Sequence, residues 1–482
     1  VAAAPDEGAV IAAVDAAMAE SLPLVRSERT WSFLDVLSVK SGLAIATWAF
    51  LFGGTTAQFT GFVDGVVATF FGLTIGIVLL LLAIVLPSYR WGTEFFVHQR
   101  SVYGAGGVVL FVLVAVLVAV FMWASILATM IGRAAVEITR TVSTTPVAEA
   151  GGVTTVVALV MLVVAWTILV RGSRGVRALN RLAAPALLVL ALWLLVAILQ
   201  KVSIEGLLAA PPIAPVPDRA MNIMLVVELH IAAGLSWYAL AGNLARYART
   251  PRSAVWGSWV AYVLVGTLSE VVGLASALTL SSADPVAWMV PMVGPVAGVV
   301  LLVLLAVANL SSLVGMVQGN AQTLVQHLGA GLQRLGWRRF TAVMLSGVAL
   351  LVVLAPAALY DRFYTLVAYL QAIFAPAAGV AFADRVLLRR GHVDVRALYA
   401  TGGTSPYRYW AGINPVAFVA LGAGAVTFLA LFDPLAYTGT PVFLHLSATV
   451  PAFAVGALLH TLLTRWVVMP SGQGGYPARA RG

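Results

Sequence analysis

The chain contains no cysteine. That excludes a disulfide, a thiolate metal site and a cysteine nucleophile. Charge is nearly as scarce: 10% of the 482 residues are Asp, Glu, Lys or Arg, where an ordinary soluble domain carries about 25%. Histidine occurs only at positions 98, 230, 327, 392, 445 and 460, at no metal-ligand spacing. No catalytic or phosphate-binding signature accompanies them. A membrane enzyme acting on lipid-linked substrates would need clustered carboxylates or histidines, and the sequence shows no such cluster. Enzymatic activity is not expected, and no cofactor is called for.

What is there instead is apolar. Hydrophobic residues make up 61% of the chain. A helix needs about 20 apolar residues to cross a bilayer. Such runs recur from end to end, as in "VVATFFGLTIGIVLLLLAIVL" at 67–87 and "VVLFVLVAVLVAVFMWASILA" at 108–128. The chain reads as an all-α polytopic membrane protein. Twelve spans are predicted, at about 31–55, 64–87, 104–135, 151–170, 182–201, 220–246, 254–280, 290–327, 340–360, 363–388, 413–432 and 441–468. No short hydrophobic segment with a cleavage site precedes the first span, so no secretory signal is expected.

Cationic residues set the expected orientation. With the N-terminus cytoplasmic, 22 of the 28 Lys and Arg fall on inside segments and 5 on outside ones, with Lys40 inside the first span. Both termini are therefore expected in the cytoplasm, at the plasma (inner) membrane. The net charge of +9 is distributed over loops, where it meets anionic lipid. Nucleic acid is not an expected partner.

Backbone that leaves the helix at membrane depth must line a cavity or be buried in protein. Interrupted spans are therefore informative. Span 1 carries "VKSGLAIATWAFLFGG", span 6 "ELHIAAGLSWYALAGN" and span 8 the polar stripe "AVANLSSLVGMVQGNAQ". Gly and Ser in a span also serve close helix packing. Spans 1 and 6 lie five apart, however, so the second set of five runs inverted relative to the first. Interrupted spans at matching places in two halves point to an inverted-repeat transporter with a midplane site.

At these residues the chain resembles the nucleobase–cation-symport-1 family, over roughly residues 28–435. The resemblance rests on "RWGTEFFVHQRSVYGAGG" (90–107), "RGVRALNRLAAPALL" (174–188), "GLSW" (234–237), "APAAGVAFADRVLLRRGHVDVRALY" (375–399) and "YRYWAGINPVA" (407–417). It implies a leucine-transporter-type fold with five-plus-five inverted repeats and two further C-terminal helices. The implied segments are a tail at 1–30, a first repeat at 31–201, a connection at 202–219, a second repeat at 220–390, helices 11–12 at 391–468, and a tail at 469–482. A monomer is expected. Spans 1, 2, 6 and 7 would rock against 3, 4, 8 and 9. Span 10, with Ala375, Pro376 and Gly379, resembles a gate, and spans 11 and 12 would be peripheral.

The same resemblance implies the site. A flat heterocycle (a nucleobase, a hydantoin or a vitamin-like ring) would lie between Trp123 and Trp237. Gly234 and Ser236 would sit at the opening of span 6. The implied sodium ligands are Ser41 and Ala44 in span 1 with Ala308, Ser311 and Ser312 in span 8. The spacing of the last three puts them on one helical face. The amides that hold the ring in a described relative align here with Ile45, Leu127 and either Val317 or Met316, with Gln318 and Asn320 nearby. Lys40 departs from the pattern, and an ionisable residue inside a span is costly. Three roles are open to it: snorkelling or a structural pair with Asp35 or Glu228, a proton-linked cation substituting for sodium, or a position facing the cytoplasmic vestibule. Glu228, His230 and Glu270 are the other ionisable groups within spans. The expected activity is uptake of the ring with Na+, the alternatives being proton coupling through Lys40 or a receptor that binds without transporting.

Overall fold

In the computed structural model, residues 22–476 are described apart from 46, 144–151, 172–178, 180–188, 191, 199, 239, 329 and 401–404. Continuous Leu-, Val- and Ala-rich runs satisfy their own backbone as helix, which a membrane interior requires. Among the described residues, eight helices are long and apolar enough to cross a membrane: Phe62–Trp91, Ala105–Val142, Val153–Val170, Pro251–Leu280, Pro295–Val325, Arg334–Leu354, Phe363–Leu388 and Thr449–Val468. They correspond to predicted spans 2, 3, 4, 7, 8, 9, 10 and 12. The bent pair Phe33–Ala44 and Thr47–Phe59 makes a ninth when counted as one span, and it is span 1. Span 6 is divided into Arg219–Leu235 and Ala241–Ala245. Span 11 is the apolar helix Pro415–Leu431. The stretch 174–188, apart from Leu179, and with it the start of span 5, lies outside the described residues.

Three of the shifted boundaries fall at a residue that breaks a helix. Span 8 begins at Pro295 because Gly294, at φ 86°, ends a separate helix, Pro285–Val293. Span 9 ends at Leu354 ahead of Pro356, which opens the short helix Pro356–Asp361; a proline disfavours helix in the residue before it. Span 12 begins at Thr449 because Ser447, at φ 59°, separates it from Pro441–Leu446.

Glycines set how closely spans 1, 2, 6 and 7 approach. A Cβ on Gly273 of span 7 would lie 2.6 Å from the Phe50 carbonyl oxygen of span 1, and one on Gly53 would strike the Glu270 carbonyl. Span 2 runs along span 6 in the same manner, with Gly72 against Val227 and Gly76 against Ile231. Span 8 packs along span 3, and span 9 against spans 3 and 4, while spans 10, 11 and 12 pack on one another.

Two polar clusters tie the ends of the bundle. At one, Arg133 of span 3 reaches Asp284 at 3.0 Å and Asp361 at 3.2 Å, and lies 4.0 Å from the Tyr360 ring centroid. At the other, buried Arg389 bonds Asp384 at 2.8 Å, the Ser101 carbonyl at 2.8 Å and the Gly474 carbonyl at 2.7 Å. Tyr476 donates to Asp384 at 2.7 Å. The segment after span 12 is thereby fastened to span 10 and to the helix Phe95–Tyr103.

The glycine contacts predict opposite results at two sites. Gly273→Leu forces backbone apart and should cost about 1–3 kcal/mol, seen as a lower melting temperature and a smaller monodisperse peak. A Cβ at Gly422 in span 11 would meet nothing within 4 Å. Gly422→Ala should leave stability unchanged or raise it, since Ala favours helix over Gly by about 0.5–1 kcal/mol.

Candidate functional site

The first half of span 1 ends at Ala44, Ile45 leaves the helix at φ −83° and ψ 66°, and the second half starts at Thr47. The two halves are bent by 59°. Gly42, expected near the break, lies inside the first half-helix. Span 6 ends at Leu235 and resumes at Ala241. Ser236 closes its last turn: the amide and the hydroxyl both donate to the Ala232 carbonyl, at 2.8 and 2.7 Å. The hydroxyl hydrogen is thus committed, and the oxygen keeps its acceptor capacity. Gly234 lies against span 2, where a Cβ would come within 3.0 Å of the Gly76 backbone. Its smallness is required by helix approach.

Aromatic rings collect at the two breaks. Trp48, the second residue of the second half of span 1, has its ring centroid 5.4 Å from Trp237 and 6.4 Å from Trp123. Phe52, one turn on, contacts Trp123 at 6.0 Å and Phe363 of span 10 at 5.0 Å. Phe363 also meets Trp123, at 5.7 Å. Tyr262 of span 7 is stacked on Trp237 at 4.8 Å with planes 18° apart. The two predicted indoles are thus brought to a common neighbour, Trp48, which sequence reasoning had passed over. Its signal was present: an aromatic pair one helical turn apart directly after the interrupted stretch of span 1.

Leu127 and Val317 are buried, and Ile45 is the break residue itself. The side-chain amide of Asn320 donates to the Met316 carbonyl of its own helix at 2.8 Å. Gln318, in contrast, has an Oε1 without a hydrogen-bond partner. A further amide was missed. Asn309 of span 8 is fully buried, its Oδ1 accepts from the Thr47 hydroxyl, and its Nδ2 has no partner. That bond ties the break in span 1 to span 8 beside Ala308. Ser311 and Ser312 lie within one turn further along the same helix, both partly buried. On span 1 the Ser41 carbonyl accepts from the Ile45 amide at 2.9 Å.

Lys40 is fully buried. Its Nζ donates to Ser258 of span 7 at 2.7 Å and to the Ala241 carbonyl of span 6 at 3.2 Å, and lies 5.1 Å from the Tyr262 ring centroid. Neither proposed carboxylate meets it. Asp35 closes the capping box of its own helix with Ser32. Glu228 caps span 12, accepting from the Ala448 amide at 2.9 Å and the Thr449 hydroxyl at 2.5 Å. The structure thus gives Lys40 neutral partners and pairs it with neither Asp35 nor Glu228, and the ammonium stands on the span 6–7 side of the break.

A helical bundle with two opened helices around an aromatic cluster defines a membrane carrier of the leucine-transporter fold. The chain belongs to the family of permeases for cytosine/purines, uracil, thiamine and allantoin, which it matches over residues 23–456. As a member of that family it is a permease of nucleobase-like substrates and not an enzyme. Mhp1, a nucleobase-cation-symport-1 family transporter solved in a closed conformation with bromovinylhydantoin bound, is 20% identical with a TM-score of 0.73, over 94% of this chain and 96% of that one. The inward-facing conformation of Mhp1 gives 19% and 0.78, over 95% of each chain. The substrate-bound outward-open state of a Na+-coupled sialic acid symporter gives 11% and 0.58, over 91% of each. Among curated proteins no significant sequence match was found.

The Thr47–Asn309 bond predicts a coupled pair. Thr47→Val and Asn309→Leu should each lower the melting temperature, since stranding a buried polar partner costs about 1–3 kcal/mol. The double variant should lose clearly less than the sum of the two. Simple additivity would show that the two side chains do not depend on each other.

Proposed function

We propose that this permease imports a small planar heterocycle, a nucleobase, hydantoin or vitamin-like ring, together with Na+ across the plasma (inner) membrane, with both termini cytoplasmic. The observation that carries this reading is the convergence of Trp48, Trp123 and Trp237 at the two helix breaks. Indole faces suit flat rings, and a base–aromatic stack is worth about 1–3 kcal/mol. Tyr262 covers one face of Trp237, so a stacked ring takes the other. The ring then shares that space with Trp48, whose indole turns aside as the substrate enters. Gly234 keeps span 6 close to span 2 behind this wall, and Ser236 offers an acceptor oxygen to a ring N–H.

Ile45, Leu127 and Val317 stand where a described relative carries amides, so the polar edge of the ring meets few partners. Gln318 and Asn309 are the amides with a free polar atom near span 8. A site with few polar partners discriminates weakly against rings that lack a given NH or CO. We therefore place hydantoin itself behind pyrimidines, purines and vitamin-like rings.

For the ion, the Ser41 and Ala44 carbonyls with Ala308, Ser311 and Ser312 provide hard oxygen donors at the span 1–span 8 contact. Ion and ring would favour the same closed arrangement because both engage the broken part of span 1. Proton coupling through Lys40 is the second reading, supported by the burial of its ammonium without a carboxylate. A receptor that binds without transporting would use the same cluster.

The test is melting temperature of the purified protein against purines, pyrimidines, hydantoins and vitamin-like rings, in sodium, in potassium and at two pH values. A ring that binds the folded state raises it. Trp123→Ala and Trp237→Ala should abolish the shift, and Ser311→Ala with Ser312→Ala should remove its strengthening by sodium. A shift that follows pH, ignores sodium and vanishes in Lys40→Met would move the coupling to Lys40. Binding without flux in proteoliposomes would make the chain a receptor. Normal uptake by both tryptophan variants would reject the stacking site.

A further inference from the structure

The aromatic cluster contains one indole more than a stacking slot needs. A flat heterocycle requires a face to lie on, and Trp123 and Trp237 supply two. Trp48 touches both of them. Its ring stands at 68° to Trp237 with centroids 5.4 Å apart, and at 74° to Trp123 with centroids 6.4 Å apart. Edge-on contacts of this kind are favourable aromatic pairs, and they set Trp48 upright against both neighbours. A ring laid parallel to either indole extends only until it meets Trp48.

The fold holds the Trp48 backbone at this place. The Thr47 hydroxyl is bonded to buried Asn309 of span 8, which anchors the start of the second half of span 1. The next residues, Ala49, Phe50 and Leu51, are buried, and the Phe50 backbone lies against Gly273 of span 7. Rotation of the half-helix is blocked at that contact. Phe52, one turn on, meets the Trp48 ring at 5.5 Å and 87°, and itself contacts Trp123 and Phe363. Trp48 is only partly buried, so its side chain can swing while its backbone stays fixed. Tyr262 already covers one face of Trp237. How far the Trp48 indole turns therefore sets the room for a substrate.

Resting this on the ring-transport reading, we propose that Trp48 is the residue that determines substrate size. Its indole keeps the place of a second fused ring, so the site takes single-ring heterocycles of the pyrimidine class ahead of bicyclic purines. The physical basis is volume. A packed wall adapts poorly to added atoms. One methylene in an apolar pocket already discriminates by about 10–200-fold, and a fused second ring adds more than one methylene. Truncating Trp48 would leave a space bordered by Trp123, Trp237 and Phe52. Apolar spaces of that kind stay dry and take up a flat apolar guest.

The test compares full-length wild type with Trp48→Ala, by melting temperature and titration calorimetry, with uracil, adenine and free indole as probes. Wild type should bind uracil more tightly than adenine. In Trp48→Ala the preference should move toward adenine by about tenfold or more. Free indole should raise the melting temperature of Trp48→Ala and leave wild type unchanged. Should Trp48→Ala not fold, Trp48→Phe, which keeps a single ring, should move the preference the same way by a smaller factor. An unchanged uracil-to-adenine preference, or indole acting equally on wild type and Trp48→Ala, would overturn the proposal. The indole arm needs no transported substrate. Absence of binding by both nucleobases counts against the ring-transport reading, and indole then decides by itself whether Trp48 holds the place of a ring.

Discussion

Inside a bilayer, a backbone group that leaves the helix finds no water to bond, so every opening in a span must be answered by protein. The two breaks show how this chain answers. At span 1 the Ile45 amide returns to the Ser41 carbonyl, and the Thr47 hydroxyl reaches Asn309 of span 8. At span 6 Ser236 closes the turn with two bonds to Ala232, while Lys40 takes the carbonyl of Ala241 where the helix resumes. A few side chains thus satisfy the freed backbone. The remaining space is filled by rings, and this division explains why an aromatic cluster lies where two helices open.

The same constraint governs the ionisable residues. Among the described residues Lys40, Glu228, His230 and Glu270 each have a partner, and the partners reveal how the helices are joined. Glu228 places its carboxylate at the N-terminus of span 12, where the helix dipole favours negative charge, and Gln371 of span 10 bonds the same Thr449 hydroxyl at 2.8 Å. Span 12 is therefore tied to span 6, one of the helices expected to move, and is not merely peripheral. Arg389 does comparable work at the opposite end, where it binds span 10, a loop helix and the segment after span 12 with one guanidinium.

Much of this was legible in the sequence, because the signals are local. Span positions follow from apolar run length, and the paired interruptions of spans 1 and 6 follow from Gly, Ser and ionisable residues in otherwise aliphatic stretches. The point of the break did not follow: Ser41-Gly42 looks weaker than Ile45, yet the helix opens at Ile45, where Thr47 finds Asn309 across the bundle. Trp48 was hidden for the opposite reason, being one aromatic among many in apolar runs. Lys40 is the clearest case. Nothing near it in sequence indicates Ser258, 218 residues away, so a carboxylate partner was the reasonable expectation, and a hydroxyl and a carbonyl took its place.

That placement changes how a cation in span 1 can influence transport. The Lys40 ammonium faces the Tyr262 ring, and Tyr262 in turn backs Trp237. A cation attracts the face of an aromatic ring by about 0.5–2 kcal/mol, so the ammonium helps fix Tyr262 and, through it, the indole wall. Lys40 also holds the first carbonyl of the resumed helix in span 6, so one side chain braces both breaks. It acts on the ring wall directly and on the span 1–span 8 contact only through the shape of span 1. The lysine and the Thr47–Asn309 bond therefore join the same opened helix to different neighbours, spans 6 and 7 for one and span 8 for the other. Neither needs to replace the other for both to bias which way that helix tilts.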